Sequence, residues 1–312
     1  MAVTMKMRPD LAPLTRLEFG KLAGPYSIAL DGFVKEGPWY DASAPMLNLN
    51  HHEGVDRLAT LATCAQALRC ARLGLYRRFR DGSGPRADVY MNDCDEDVCA
   101  AWFVLSNPDL SRQTYNPAFN RMVGMIDELD SSAGAYPLDP DSRVAEELAW
   151  IFQPYRRFRS SGGIDRRNTA EFTGIVTDVC NRMMEYVAGR GERIALDTRY
   201  EKIGGSADWA MIREIGEQGR IGAFRDGIEA YVIVRERSDG ARSCTFGRIS
   251  QFIDHFPVPE ICAALTAAEN TGAVHGGGNT IGGTDRVLGT RQTIAEITEV
   301  IESVRGKHAP IA

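Results

Sequence analysis

Histidine is scarce in this chain, five residues in 312, so two of them standing side by side at positions 51 and 52 require an explanation. The seven cysteines, at 64, 70, 94, 99, 180, 244 and 262, form no Cys-x-x-Cys pair and are odd in number. That usage excludes a zinc ribbon and a disulfide framework, and suits a reducing compartment. Long apolar runs are missing as well. No stretch reaches the roughly 18 residues needed to cross a bilayer, and the start, MAVTMKMRPDLAPLTRLEFG, has no apolar signal region, so the chain reads as cytoplasmic and free of membrane. Basic residues are in deficit: the formal net charge is −6 and the pI about 5.5. Binding to long nucleic acid through general basicity is therefore not expected, whereas a small anion held by a local basic patch is compatible. Repeats and low-complexity tracts are absent too.

What remains is an ordinary globular composition, 44% hydrophobic and 25% charged, in a length that suits two domains or one large one. Short apolar runs at 25–34 and 44–50 have strand length, and 54–79 carries apolar residues at helical spacing. GSGPRADVYMN brings a turn and a strand, EDVCAAWFVLS (96–106) a helix ended by Asn107–Pro108, and 142–155 and 168–188 further helices. This alternation predicts an α/β fold with a mainly parallel sheet in the N-terminal domain. Glycine and charge rise together around 189–209, after which 227–250 reads as two strands joined by Ser-Asp-Gly. A helix near 258–269, a glycine-rich loop and a terminal helix near 292–305 follow. The expected division is a metal-binding domain over 1–200 and a smaller α/β substrate domain over 215–312, with the boundary somewhere in 190–225.

Three stretches carry candidate chemistry. LNLNHHEG delivers Asn50, His51, His52 and Glu53 at a strand's C-terminal end before a helical pattern, where open α/β sheets place their ligands. The competing account is a pair of solvated turn histidines. VYMNDCDEDVCAAWFVL repeats the design, strand then acidic loop then helix, with Asp93, Asp95, Glu96 and Asp97 crowded together. Four carboxylates in five residues repel one another unless a cation sits among them, although an acidic helix start complementing the dipole is the alternative. The spacing is not that of an EF-hand. MIDELDSSAG adds Asp127 and Asp130, which either serve a turn or complete a centre of mixed His and Asp ligands.

Two more stretches suit anions. In GAVHGGGNTIGG the backbone N–H groups of Gly276, Gly277 and Gly278 can converge on an oxyanion, with His275, Asn279, Thr280, Thr284 and Arg286 adding polar groups. It is no Walker A loop, and a tight strand connection is the alternative. QPYRRFRSSGG interleaves Arg156, Arg157 and Arg159 with Tyr155 and Phe158, which fits a phosphate beside a stacked base or a solvated basic helix end.

Together these motifs resemble the DHH phosphoesterase superfamily, which includes RecJ-type exonucleases, nanoRNases and inorganic pyrophosphatases. Asn50-His51-His52 is similar to the family's Asp-His-His, Met91 to Asp97 to its His-x-x-x-Asp-x-Asp loop, DELDSSAG to the segment of a later aspartate, and VHGGGNTIGGTDR to its Gly-Gly-Gly-His loop. Asn50, Met91 and Asn279 stand where the family has Asp, His and His, and the His-His element precedes the Asp-rich one, the reverse of the usual order. The resemblance implies a phosphodiesterase of a short oligonucleotide or dinucleotide. Its divalent metal would be manganese, or magnesium or cobalt, held by His51, Asp93, Asp95, Asp97, Asp127 and Asp130. His51 and His52 would be catalytic, and water activated by the metal would attack phosphorus in line. Arg156, Arg159, His275, Gly276, Gly277, Gly278, Asn279 and Arg286 would bind the substrate. A non-hydrolytic nucleotide or phosphoryl-ligand binder of the same fold, and a metal-dependent hydrolase or lyase on another substrate, are the alternatives. A homodimer is left open.

Overall fold

The computed structural model describes residues 2–285 and 287–306, which form a mixed α/β fold in two compact units. The first unit comprises Met1–Ser131 with Glu146–Ile194, the second Ser132–Ala145 with Ala195–Ala312. The detour of 132–145 into the second unit leaves no trace in composition.

The first unit carries strands β1 (Ala2–Met7), β2 (Ser27–Leu30), β3 (Trp39–Asp41), β4 (Met46–Leu49), β5 (Arg80–Asp81) and β6 (Gly84–Met91). They lie in the order β1-β6-β2-β4-β3, with β5 on β6. The pairs β1–β6, β6–β2 and β2–β4 are parallel, and β3 and β5 run antiparallel to their neighbours. Every residue of β2 and β4 is buried, as expected of central parallel strands covered on both faces. The helices are α1 (Arg16–Leu22), α2 (Thr63–Arg72), α3 (Leu75–Arg78), α4 (Glu96–Ser106), α5 (Pro108–Arg112), α6 (Pro117–Ser131), α7 (Arg143–Ser160) and α8 (Thr169–Val187). Helix α4 is apolar nearly all round and correspondingly buried from Val98 to Leu105, Trp102 alone being half-buried. One cluster of the core gathers Phe19, Phe33, Val34 and Met46.

Two helix expectations change. The helix over 54–79 starts only at Thr63, where Asp97 accepts its first N–H groups, those of Thr63 and Cys64. It breaks at Gly74, whose φ of 104° lies in the left-handed region, and α3 resumes as a separate turn. His51 and His52 therefore precede a loop over 53–62 rather than a helix. The helix expected over 142–155 continues through Pro154 to Ser160.

The second unit holds β7 (Tyr200–Gly205), β8 (Ala210–Glu214), α9 (Gly219–Arg225), β9 (Ala230–Glu236), β10 (Arg242–Arg248), α10 (Val258–Ala268), β11 (Gly276–Gly277), β12 (Ile281–Gly283) and α11 (Ile294–Arg305). The sheet order is β11-β12-β10-β9-β8-β7, antiparallel except for β8–β9. The Ser238-Asp239-Gly240 turn joins β9 to β10 as expected, with Gly240 at φ 76°. One sheet face packs Met211, Val232 and Phe246 against Ile261 and Ile297 of α10 and α11, and the other packs Ile212 and Tyr231 against Ala223 of α9. Among the described residues no helix is long and apolar enough to cross a membrane.

Candidate metal centre

Parallel strands β6, β2 and β4 are neighbours, so the chain leaving their C-terminal ends converges on one edge of the sheet. β4 delivers Asn50, His51 and His52, and β6 delivers Asp93, Asp95 and Asp97. β2, between them, delivers Asp31, whose φ of 46° turns the backbone sharply at the strand's end. The last turn of α6 brings Asp127 and Asp130 to the same place.

His51 is the hub. Its Nε2 lies 2.7 Å from Asp130 Oδ2, 3.4 Å from Asp31 Oδ1 and 3.8 Å from Asp97 Oδ2. His52 Nε2 lies 2.9 Å from the same Asp31 Oδ1, which also accepts from Thr63 Oγ1 at 3.1 Å. Two groups of three ligand atoms result, Asp31–His51–His52 and His51–Asp97–Asp130, and the cluster can hold a metal ion. Although His51 Nε2 and Asp130 Oδ2 are in close contact, their geometry is not that of a hydrogen bond, and both atoms are buried without a hydrogen-bond partner. A buried imidazole nitrogen and a buried carboxylate oxygen aimed past each other are a donor set that a shared cation satisfies.

The electrostatics match. Burial works against charge on His51, yet contact with Asp130 and Asp31 raises it to about 10. Burial also opposes ionisation of Asp31, but close contact with His51 and His52 holds it far below the usual carboxylate range. Asp97 is pushed up to about 7 by burial and the charges of Asp130 and Asp31. Burial together with Asp31, Asp93, Asp130 and Asp97 drives Asp95 well above its ordinary value. Carboxylates that cannot all ionise together are a site short of positive charge.

The acidic residues do different jobs. Asp97 accepts the N–H of Thr63 with Oδ2 and of Cys64 with Oδ1, each at 2.8 Å, and Asp127 accepts the N–H of Ala62 at 2.6 Å. Helix α2 has no side-chain cap of its own, so these two aspartates from other helices cap it. Each Asp97 oxygen keeps a further lone pair, but the residue expected purely as a ligand has a structural task. Asp95 caps its own helix by accepting from Val98 N–H at 2.9 Å, and Asp93 Oδ1 accepts from Cys94 N–H at 2.7 Å. Asn50 is spent on its neighbours: its Nδ2 donates to the main-chain carbonyl of Glu36 at 2.9 Å and to the Glu53 carboxylate Oε2 at 2.5 Å, and its Oδ1 accepts from His52 N–H. Met91 is fully buried in the core.

Arg156 reaches the same edge of the sheet, with Nε donating to Glu96 Oε1 at 2.9 Å and Nη1 buried without an acceptor. Arg159 is held in its charged form first by Tyr155 and then by Asp93 and Asp95. Asp31 and Arg57 were missed in the sequence. Asp31 carried the signal used for the other two elements, an acidic residue at the end of an apolar run, in SIALDGF. Arg57 carried none.

The glycine loop of the second unit is a β11–β12 hairpin. Gly278 N–H donates to Ile281 O within it, and a Cβ on Gly277 would fall 2.3 Å from Gly282 Cα. Gly277 is thus required by the close approach of two strands, and Gly278 N–H is not available to an anion. His275 is buried; its Nδ1 accepts from Asp285 N–H, and its Nε2 lies 3.4 Å from Glu269 Oε2. Asn279 offers its carbonyl to Arg248 Nε. Arg286, expected among the substrate contacts, lies outside the described residues.

No protein-family model and no curated protein matches the chain.

Proposed function

We propose that the chain is a divalent-metal phosphoesterase of the DHH type that hydrolyses a small phosphodiester. The observation that carries this reading is His51, buried and shared between two ligand groups at the C-terminal edge of a parallel sheet, with Nε2 and Asp130 Oδ2 both lacking hydrogen bonds. His51, Asp31, Asp95 and Asp130, with Asp97 beside them, would hold the ion. Manganese suits such a set of carboxylate oxygens and imidazole, with magnesium or cobalt next. When bound, the ion would supply Lewis acidity and would lower the pKa of a water ligand to about 7.

The chain's own residues supply the rest. Asp31 fixes His52 through Nε2, and the His52 side chain keeps 38% exposure, which leaves its ring as the one positioned to exchange a proton with a ligand. Arg156 and Arg159 bring positive charge for an anionic substrate to a set of residues otherwise acidic. A second reading, a phosphoryl-ligand binder without turnover, is favoured by one observation: neither Asn50 nor Met91 contributes a donor to the cluster.

The test is elemental analysis of the purified chain, followed by assay of bis(p-nitrophenyl) phosphate and of dinucleotides with and without added manganese. One or more ions per chain with turnover abolished by chelator supports the proposal. Bound metal without turnover favours the binder, and a chain that takes up no divalent ion overturns both.

A further inference from the structure

Among the described residues nine buried side-chain polar atoms lack a hydrogen-bond partner, and five of them belong to His51, Asp130, Arg57 and Arg156. Unmet hydrogen bonding is therefore concentrated around one cluster. A cation would satisfy His51 Nε2 and Asp130 Oδ2, though not His51 Nδ1 on the other side of the ring. A cation cannot satisfy Arg57 Nε, which is a donor.

Arg57 belongs to the 53–62 loop that follows the histidine pair, and its side chain is 18% exposed. Its Nη2 donates to the main-chain carbonyl of Asp130 at 2.7 Å, one of the last carbonyls of α6, which have no partner within the helix. The Asp130 carboxylate is farther away, with Oδ2 at 3.7 Å from Nη2. An arginine placed to neutralise Asp130 would make the two-pronged pair that guanidinium and carboxylate geometry favours. Here the guanidinium is anchored by a backbone carbonyl instead, and Nε is left buried with no acceptor. Its charge also reaches His52. A fixed guanidinium with an unused N–H, next to residues that can hold a cation, presents the complement of an oxyanion whose other oxygen meets the metal.

We infer that Arg57 binds the ligand directly, donating to a non-bridging oxygen of a phosphoryl group seated at the His51–Asp130 cluster. This rests on the phosphoesterase reading for the ligand's class, but the contact itself is with an oxyanion and can be measured without turnover. Arg57 is then the residue that selects an anionic tetrahedral group over a neutral one.

The experiment compares wild type, Arg57→Met and Arg57→Lys, all loaded with manganese, by metal analysis, by calorimetric titration with inorganic phosphate, and by kinetics on bis(p-nitrophenyl) phosphate. Arg57→Met is expected to keep the wild-type metal stoichiometry while binding phosphate about tenfold or more weakly and raising KM by a similar factor. Arg57→Lys should recover part of the loss, since it keeps the charge without the fork. Equal phosphate affinity in wild type and Arg57→Met overturns the inference, as does a wild type that binds no phosphate. Loss of metal in both variants also overturns it, because Arg57 would then only position Asp130. If phosphate binding depends on Arg57 but no phosphodiester is hydrolysed, the oxyanion contact stands and the hydrolytic reading falls.

Discussion

His51 Nε2 stands 2.7 Å from Asp130 Oδ2, a strand-end histidine meeting a helix-end aspartate 79 positions later, without making a hydrogen bond to it. The contact joins β4 to α6 and makes Asp130 the natural first residue to remove. Asp130→Asn should lower metal affinity by about a hundredfold or more, and near neutral pH it should also remove from the metal-free protein part of the stability that contact with Asp130 lends the protonated His51. Calorimetric titration with manganese reads the first, and urea unfolding without metal reads the second.

Asp97 and Asp95 should separate in the opposite sense. Asp97→Ala strips two N–H acceptors from the start of α2 and should cost about 2–3 kcal/mol in denaturant unfolding. Asp95→Asn keeps an oxygen for Val98 N–H and relieves crowding among carboxylates, so the metal-free protein should be no less stable and should lose metal affinity. Equal destabilisation by the two changes would contradict the division between cap and ligand.

Metal uptake should strengthen as pH rises. Without metal, His51 holds its proton up to about pH 10, and Asp97 is half-protonated near pH 7. Binding expels both protons, so affinity should climb by about tenfold per pH unit for each proton still bound. Titration in buffers of different ionisation enthalpy counts the protons released, and a pH-independent affinity would remove His51 from the ligand set. Stability without metal runs the other way for these two groups. Asp97, raised above its ordinary 3.8, contributes stability that is full below that value and lost as pH rises through about 7. His51, raised above 6.5, contributes stability that is lost as pH rises through about 10. Asp31, held low, contributes above 3.8 and loses its share as pH falls.

The adjacent histidines should not be equivalent. His51 is buried and belongs to both ligand groups, whereas His52 belongs to one and is partly exposed. His51→Ala should abolish metal binding. His52→Ala should retain most of the metal and reduce turnover by about a hundredfold, the ordinary size of an acid–base contribution. Matching metal losses in both variants would refute the assignment.

In the second unit, Gly277→Ala should destabilise the protein by about 1–3 kcal/mol, because the new methyl group meets Gly282 and Ile281 across the hairpin. A thermal unfolding midpoint unchanged from wild type would show that the two strands can part at no cost.

The sequence by itself determined the mixed α/β class, the mainly parallel N-terminal sheet, the β9–β10 hairpin, and the facts that a His pair and an Asp-rich loop each follow a strand. These are local properties: period, turn residues and the polarity that appears when a buried strand ends are all written within about ten residues. Tertiary structure alone decided which strand ends meet. Only the order β6-β2-β4 puts Asp31 between the two polar loops, and strand order depends on packing between segments far apart in the chain. The same reason hid the roles of Asp97 and Asp127. An aspartate that caps its own helix is legible from its neighbours, as Asp95 is, but one that caps another helix 34 or 65 positions away is not. The onset of α2 at Thr63 coincides with those distant carboxylates, which take up the first N–H groups of the helix.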